Sequence, residues 1–226
     1  MYVKDRMTKA PLTIGEKESI SKALEIMRKN DFHRLPVTDG NGKLLGLITG
    51  GLVEEQSGAK DTSLSIFELN YLLSRRTVAD IMIRDVNVCK EDMFLEEAAS
   101  IMLDQDISCL PVVDDDRKVV GIITEKDIFM ALIDIVGYGR RGTRFVLSAE
   151  DRPGYMEGIC RLFAENDANM DELAVFHTEE RGTEVSVKAS GEIPVEDMRD
   201  VLKKNGYKVS VIVQTDENGK RIVYSV

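Results

Sequence analysis

The first fifty or so residues of this chain recur 75 positions later without a gap, and this duplication constrains the fold more than any other feature. Aligning residues 3–52 with residues 78–127 gives 16 identical pairs out of 50. Unrelated sequences of ordinary composition would give about 3, since chance identity is about 6%. A unit of this size buries too little surface to be stable alone. The sequence therefore predicts two copies packed around an approximate two-fold axis, with a cleft of the kind that ligands occupy.

The composition is that of a globular protein with an acidic surface. The chain has 226 residues, 43% hydrophobic and 31% charged, with a formal net charge of −10. Broad nucleic-acid and anionic-membrane surfaces need an excess of Lys and Arg, so we expect neither partner. The three cysteines form no CxxC pair, and no uncharged stretch reaches the ~18 residues that span a bilayer. We expect a cytoplasmic protein with no metal site.

Each copy shows the same order of predicted elements. Apolar residues at helical spacing, such as Ile20, Ala23 and Met27, predict an early helix in each copy. Two short apolar runs joined by a polar turn then predict a β-hairpin, and a further helix follows. Between the copies, residues 57–77 are predicted to form a linker with a short helix over residues 66–73.

A second domain is predicted after residues 137–142, where three glycines and two arginines indicate a linker. From Thr143 onward the apolar pattern predicts strand, helix, strand, strand, helix and strand, with the first helix beginning at Pro153 and a tail that adds an edge strand. This βαββαβ order is the ferredoxin-like arrangement. The predicted fold class is α/β (α+β), with boundaries at residues 1–56, 57–77, 78–137 and 143–226.

The duplicated unit carries a recognisable motif. The segments Leu110–Asp114 (LPVVD) and Gly121–Asp127 (GIITEKD) together resemble the CBS (cystathionine beta-synthase) motif. Two such motifs in tandem resemble a CBS pair, the Bateman module, over residues 1–137. In that family each motif binds an adenosine-containing ligand, with the Thr hydroxyl and the Asp carboxylate on the ribose. The resemblance implies a nucleotide-binding set in the second copy: Val88, Ser108, Cys109, Pro111, Thr124 and Asp127.

Thr124 and Asp127 also have a purely structural interpretation. Thr-x-x-Asp at a strand-to-helix junction is an N-terminal helix cap of the capping-box kind, and the two roles are compatible. The first copy keeps Thr49 but has Leu52 in place of the Asp, so it lacks the carboxylate that would accept bonds from ribose hydroxyls. We therefore expect an unequal pair, with a weak, vacant or altered first site.

Basic residues near the motifs are candidates for phosphate contacts. In CBS pairs a basic residue just ahead of the Leu-Pro-Val segment often reaches phosphate at the neighbouring site, which implies this role for His33 and Arg34. The planar fork of Arg suits that geometry. The alternative is that His33 caps a strand and Arg34 is a solvated surface charge. Lys126 and Arg84 are weaker phosphate candidates.

The second domain carries a different resemblance. The segment Asp151-Arg152-Pro153-Gly154 opens a predicted helix, and Asn169 follows that helix; together they resemble the ACT-domain signature. The resemblance implies a module that binds amino acids at interfaces between paired copies, with an ACT ligand or interface set of Asp151, Pro153, Gly154 and Asn169. The alternative is that the domain serves only as a dimerisation surface.

The order CBS, CBS, ACT, with Ser-Ile-Phe-Glu at residues 65–68, resembles the acetoin-utilisation B-type proteins. This implies a cytoplasmic homodimer that senses an adenine nucleotide (AMP, ADP, ATP or a related adenosyl ligand) and regulates an unidentified metabolic enzyme, with a small-molecule signal at the ACT domain. No catalytic set or P-loop occurs, so we expect neither an enzyme nor a cofactor. The alternative is a structural or oligomerisation module that binds no ligand and regulates a metabolic partner by protein contact.

Overall fold

The structure is a computed structural model that describes residues 1–57, 75–150, 152–191 and 194–226. The chain divides into two compact units, Met1–Phe129 and Met130–Val226. The predicted short helix over residues 66–73 and the segment 65–68 lie outside the described residues. Within the described part of the chain, no helix has the length and apolar character needed to cross a membrane.

The first unit contains both copies of the repeat, and each shows the predicted order of helix, hairpin and helix. The first copy consists of a 3-10 turn at Val3–Asp5, β1 (Thr8–Lys9), β2 (Ile14–Gly15), α1 (Ile20–Asn30), β3 (Arg34–Thr38), β4 (Leu44–Thr49) and α2 (Gly50–Ser57). The second copy consists of a 3-10 turn at Val78–Asp80, α3 (Leu95–Asp104), β5 (Cys109–Val113), β6 (Val119–Thr124) and α4 (Glu125–Ile135). Helix α4 begins in the first unit and ends in the second.

The two copies exchange strand segments around an approximate two-fold axis. One sheet has the order β2-β3-β4 and the other β1-β6-β5, so β1 of the first copy completes the sheet of the second. Thr8 pairs with Ile122, and the equivalent bridge, 75 residues away, joins Ile83 to Leu47. The packing predicted from the duplication is therefore confirmed.

Helix α1 shows how the sequence fixes these elements. The Ser19 side chain accepts a hydrogen bond from the backbone N–H of Lys22 at 3.2 Å, which caps the first turn. Ile20, Ala23 and Met27 are buried because their spacing places them on one face of the helix. This face packs against the hairpin strands in the core of the first copy.

Close approach between the copies depends on a glycine in each hairpin. A Cβ atom added at Gly46 would lie 2.6 Å from the carbonyl oxygen of Ile83 and 2.8 Å from Met82 Sδ. The equivalent residue, Gly121, faces Met7 in the same way. The segment that each copy contributes to the sheet of the other can therefore approach that sheet only where the facing residue is glycine.

The second unit is one antiparallel sheet with two helices. Its elements are β7 (Gly142–Ser148), α5 (Tyr155–Glu165), β8 (Asn169–Thr178), β9 (Gly182–Ser190), α6 (Val195–Lys204), β10 (Lys208–Thr215) and β11 (Arg221–Tyr224). The strand order is β11-β10-β7-β9-β8, with every neighbouring pair antiparallel. The core includes Phe145, Ile159, Phe163, Met198 and Leu202. The predicted order of elements, including the edge strand in the tail, is observed.

Two local predictions for this unit were wrong. Helix α5 was expected to begin at Pro153 but begins at Tyr155, because Gly154 adopts a left-handed conformation with φ 83° that cannot continue a right-handed helix. Residues 137–142 were expected to form a plain linker. They form instead a turn whose backbone carbonyls accept hydrogen bonds from the buried Lys188.

We expect Gly46→Ala to destabilise the protein by about 1–3 kcal/mol, the usual cost of forcing an extra carbon into a packed site. The rigid carbonyl of Ile83 cannot move away as a flexible side chain would. Urea unfolding should show a lower midpoint.

Gly40→Ala is the matched control for this prediction. A Cβ at Gly40 would meet nothing within 4 Å, so its unfolding midpoint should equal that of the unsubstituted protein. Equal midpoints for both variants would contradict the packing argument.

Candidate functional site

The junction between β6 and α4 holds the Thr124 and Asp127 side chains in a fixed arrangement. Asp127 Oδ2 accepts a hydrogen bond from the backbone N–H of Thr124 at 2.8 Å and another from the Thr124 hydroxyl at 2.7 Å. Both side chains are half-buried. The capping role considered from the sequence is therefore present, and it uses only one of the two carboxylate oxygens. The ribose-binding role stays a prediction.

The equivalent junction in the first copy has different chemistry. Thr49 Oγ1 accepts a hydrogen bond from the backbone N–H of Leu52 at 3.1 Å, whereas the Thr124 hydroxyl donates to a carboxylate. The half-buried Leu52 side chain has no polar atom. The two junctions therefore share a backbone geometry but not a set of ligand acceptors.

Arg34 brings a positive charge from the first copy to the second-copy junction. Its Nη2 donates a hydrogen bond to Ser108 Oγ, and the carbonyl oxygen of Ser108 accepts from the backbone N–H of Glu125 at 3.2 Å. Glu125 directly follows Thr124. Arg34 is half-buried and so is not the freely solvated surface charge of the alternative interpretation.

The residues predicted to frame an adenine lie on β5 or next to it. Cys109 pairs with Thr124 in the β5–β6 register. The backbone N–H of Cys89, the residue after Val88, donates to the carbonyl of Pro111 at 3.1 Å. Cys109 and Pro111 are buried, whereas Val88 and Ser108 are half-buried.

Three other predicted phosphate contacts have different surroundings. His33 is exposed, and its carbonyl accepts from the backbone N–H of Gly50 at 2.9 Å, which is the first-copy equivalent of the Ser108 contact. Lys126 is exposed in the first turn of α4, beside Asp127. Arg84 is exposed and donates to the carbonyl of Ala79 at 2.9 Å, a contact that directs it to the 3-10 turn.

The predicted ACT set is placed only in part. Asp151 lies outside the described residues, and Pro153 and Gly154 are exposed. Asn169 begins β8, and its side-chain amide donates to Asp171 Oδ1 at 2.7 Å. The ACT role of these residues stays a prediction.

The two buried thiols near the junction have raised pKa values. Burial raises the pKa of Cys109 to about 11, with Glu125 adding to the rise and the positive charge of Arg34 opposing it. Burial alone raises the pKa of Cys89 to about 12. Both thiols are therefore protonated at neutral pH, and Cys109 contributes an apolar wall to the junction. In the described ranges, no group of three or more His, Cys, Asp or Glu side chains is arranged to hold a metal ion.

The sequence did not reveal that Arg34 and Ser108 form a contact between the copies. Arg34 was predicted to contact phosphate and Ser108 to frame adenine, with no direct bond between them. The 75-residue offset contained a signal, because Arg34 corresponds to Cys109 and His33 to Ser108. A residue near a two-fold axis lies close to its equivalent in the other copy and to the neighbours of that equivalent. Arg34 therefore lies close to Ser108, which directly precedes Cys109.

Known proteins share the duplicated part of the chain. The family model for the CBS domain matches residues 3–50 and 78–134. The uncharacterized protein MJ1426 of Methanocaldococcus jannaschii is 30% identical over 155 residues, covering 59% of this chain and 92% of that protein. The L-aspartate semialdehyde sulfurtransferase of the same organism is 36% identical over 126 residues. These residues cover 56% of this chain but only 22% of that enzyme.

Two solved structures resemble the chain in fold. CBSX2 of Arabidopsis thaliana, solved in complex with AMP, is 26% identical, with a TM-score of 0.52, and the match covers 59% of this chain and 97% of that one. AcuB of Vibrio cholerae, described as an acetoin utilization protein, is 28% identical, with a TM-score of 0.51. That match covers 61% of this chain and 93% of AcuB.

We expect one of the three cysteines to react rapidly with an aromatic disulfide reagent at about pH 8, because thiolate is the reactive form. Cys89 and Cys109 are buried with raised pKa values, whereas Cys160 is partly accessible. Absorbance should show one fast equivalent per chain, and all three after unfolding.

Cys160→Ser is the control, and it should abolish the fast phase. A second fast equivalent in the folded protein would show that the wall beside Thr124 is open to reagents.

Proposed function

Because the chain belongs to the CBS-domain family, we propose that it is a regulatory protein that senses an adenine nucleotide at the Thr124–Asp127 junction. The observation that carries this proposal is the half-buried Asp127 carboxylate, which uses a single oxygen for capping. Its second oxygen is the acceptor that a ribose hydroxyl requires. The AMP bound to CBSX2, a structure of similar fold, supports an adenosine-containing ligand.

The arrangement around the junction suits the parts of such a ligand. A carboxylate that accepts from hydroxyl groups makes charge-assisted hydrogen bonds, which are about twice as strong as neutral ones. The apolar Val88 and the neutral thiol of Cys109 offer a surface for the adenine ring. The guanidinium of Arg34 supplies the positive charge for a phosphate.

The two junctions are proposed to differ in affinity. Thr49 is retained in the first copy, but Leu52 provides no acceptor for a ribose. We therefore assign one strong nucleotide site to each chain. His33 and Lys126 are assigned at most supporting phosphate contacts, because both are exposed. Arg84 is assigned no phosphate contact, because its side chain donates to the carbonyl of Ala79.

The proposed output is a conformational signal and not a reaction. A nucleotide that prefers one arrangement of the copies shifts the population toward it. The second unit is proposed to be an ACT-like domain, since its sheet order and βαββαβ sequence of elements suit the ferredoxin-like arrangement. It would take the second, small-molecule signal, and no catalytic cofactor is involved.

The proposed partners are a second copy of the chain and a metabolic enzyme. Exposed apolar residues on α4, among them Phe129, Met130, Leu132 and Ile135, form the kind of surface that proteins cover by association. The similarity to AcuB supports a regulatory role related to acetoin utilisation.

We expect Asp127→Leu, which copies the first junction, to weaken AMP binding by about 10- to 100-fold. The lost bonds involve a charged acceptor, which corresponds to about 1.5–3 kcal/mol. Isothermal titration calorimetry should give one site per chain for the unsubstituted protein, and far-UV circular dichroism should confirm that the variant is folded.

Leu52→Asp is the matched reciprocal variant, and it should raise the stoichiometry toward two. Undiminished AMP binding by a folded Asp127→Leu variant would disprove the ribose assignment. If AMP, ADP and ATP all fail to bind the unsubstituted protein, the structural-module alternative is favoured.

Arg34 should make the protein bind a nucleotide that carries a phosphate group more tightly than a nucleoside that lacks one. We expect AMP to bind about tenfold or more tightly than adenosine, because a desolvated charge pair contributes more than a neutral contact. In Arg34→Gln this preference should largely disappear, whereas the affinity for adenosine should change little. Calorimetric titration of both ligands into both proteins measures the effect.

Arg84→Gln serves as the control, since Arg84 bonds to the carbonyl of Ala79 and not to the junction. Equal affinities of the unsubstituted protein for AMP and adenosine would contradict the role of Arg34.

A further inference from the structure

The C-terminal end of helix α4 is fixed by cations of the second unit. The backbone N–H of Tyr138 donates to the carbonyl of Ile133, and that of Gly137 to the carbonyl of Asp134, both at 3.1 Å. This is a Schellman motif, with Gly137 in the left-handed conformation at φ 60°. Further carbonyls of the turn, those of Val136, Gly137 and Arg140, accept hydrogen bonds from Arg144 and Lys188.

Three cationic side chains line a small cavity beside this turn. Its volume is about 40 Å³, and the cations come from three strands: Arg144 of β7, Lys188 of β9 and Arg221 of β11. The other lining residues are Gly137, Tyr138, Gly139, Gly142, Val213 and Thr215. Among the described residues, no Asp or Glu lines the cavity, although the Glu172 carboxylate lies against Gly137 at its edge.

None of these three cations forms an ion pair with a carboxylate of the described residues, although Glu172 lies near enough to Lys188 to raise its pKa. The nearby acids serve Arg140 instead, with Glu172 at 3.5 Å and Asp134 at 4.0 Å. Among the described residues, no carboxylate oxygen lies within 4.0 Å of a charged nitrogen of Arg144, Lys188 or Arg221. Such a concentration of unpaired positive charge is unexpected in a chain with 40 acidic and 30 basic residues.

Capping of the helix end does not account for all of this charge. Lys188 is only 4% exposed and donates to two carbonyls, although an ammonium group has three donor hydrogens. Arg144 donates to one carbonyl, whereas a guanidinium has five donor hydrogens. Carbonyls satisfy donors but carry no net charge. Burial, the largest cause, lowers the pKa of Lys188, and the positive charges of Arg144 and Arg140 add to this effect, whereas the nearby carboxylates of Glu172 and Asp171 oppose it. An oxyanion in the cavity would oppose the lowering further.

We propose that this cavity binds a small oxyanion, either a phosphate or a carboxylate group. A cavity of about 40 Å³ exceeds the ~10–15 Å³ that one water requires, so it has room for a single such group. The rest of a larger ligand would extend past the exposed Arg221, whose guanidinium lies 5.7 Å from the Tyr138 ring. Bare glycine backbone and the Thr215 hydroxyl add neutral contacts. This site is independent of the proposed nucleotide site.

The test is calorimetric titration of the full chain with inorganic phosphate and with acetate, at constant ionic strength. We expect saturable binding of at least one of them, with one ion per chain. Arg221→Gln should weaken it by about tenfold or more, because a charged contact is lost. Arg221 is exposed, so this variant should fold normally. Lys220→Gln, a neighbouring exposed residue that does not line the cavity, should bind as the unsubstituted protein does.

Arg34→Gln separates this site from the proposed nucleotide site. Phosphate binding that survives Arg34→Gln but falls in Arg221→Gln and Arg144→Gln supports the proposal, whatever the outcome of the AMP titrations. The proposal is overturned if neither ion binds saturably. It is also overturned if binding is indifferent to Arg221→Gln, or is lost in Arg34→Gln.

Discussion

The exchange of strand segments between the two copies is the constraint on which the first unit depends. Neither copy completes its sheet alone, because Thr8 and Ile83 each pair with the hairpin of the other copy. The exchange is possible only where Gly46 and Gly121 present no side chain. It also brings the two hairpins together, and as a result Arg34 contacts Ser108 of the other copy.

The proposed function of this unit depends on differences between the two copies. The backbone contacts at the two strand-to-helix junctions are equivalent, as the paired bonds from Gly50 and Glu125 demonstrate. The side chains are not equivalent, since Leu52 corresponds to Asp127. Duplication thus provides two similar frameworks, and substitution at a few positions decides which framework offers a ligand its polar contacts.

The sequence predicted the pairing of the copies and the order of the helices and strands, because a 75-residue offset and regular apolar spacing are local signals. It did not predict the start of α5, since the left-handed conformation of Gly154 is one of several that glycine adopts. It also missed the burial of Lys188, which depends on residues 137–142 folding against a distant strand. At the candidate site, the capping bonds of Asp127 were foreseen, whereas the bond from Arg34 to Ser108 required the tertiary arrangement.

Helix α4 is shared by both compact units, and this affects how the protein can be dissected. A fragment ending at Phe129, the last residue of the first unit, would keep five of the eleven helical residues between Glu125 and Ile135. A helix that short is not stable by itself in water. Fusion or truncation experiments on either half should therefore retain the whole helix as far as Gly137, which terminates it. Each fragment then contains a complete, capped helix.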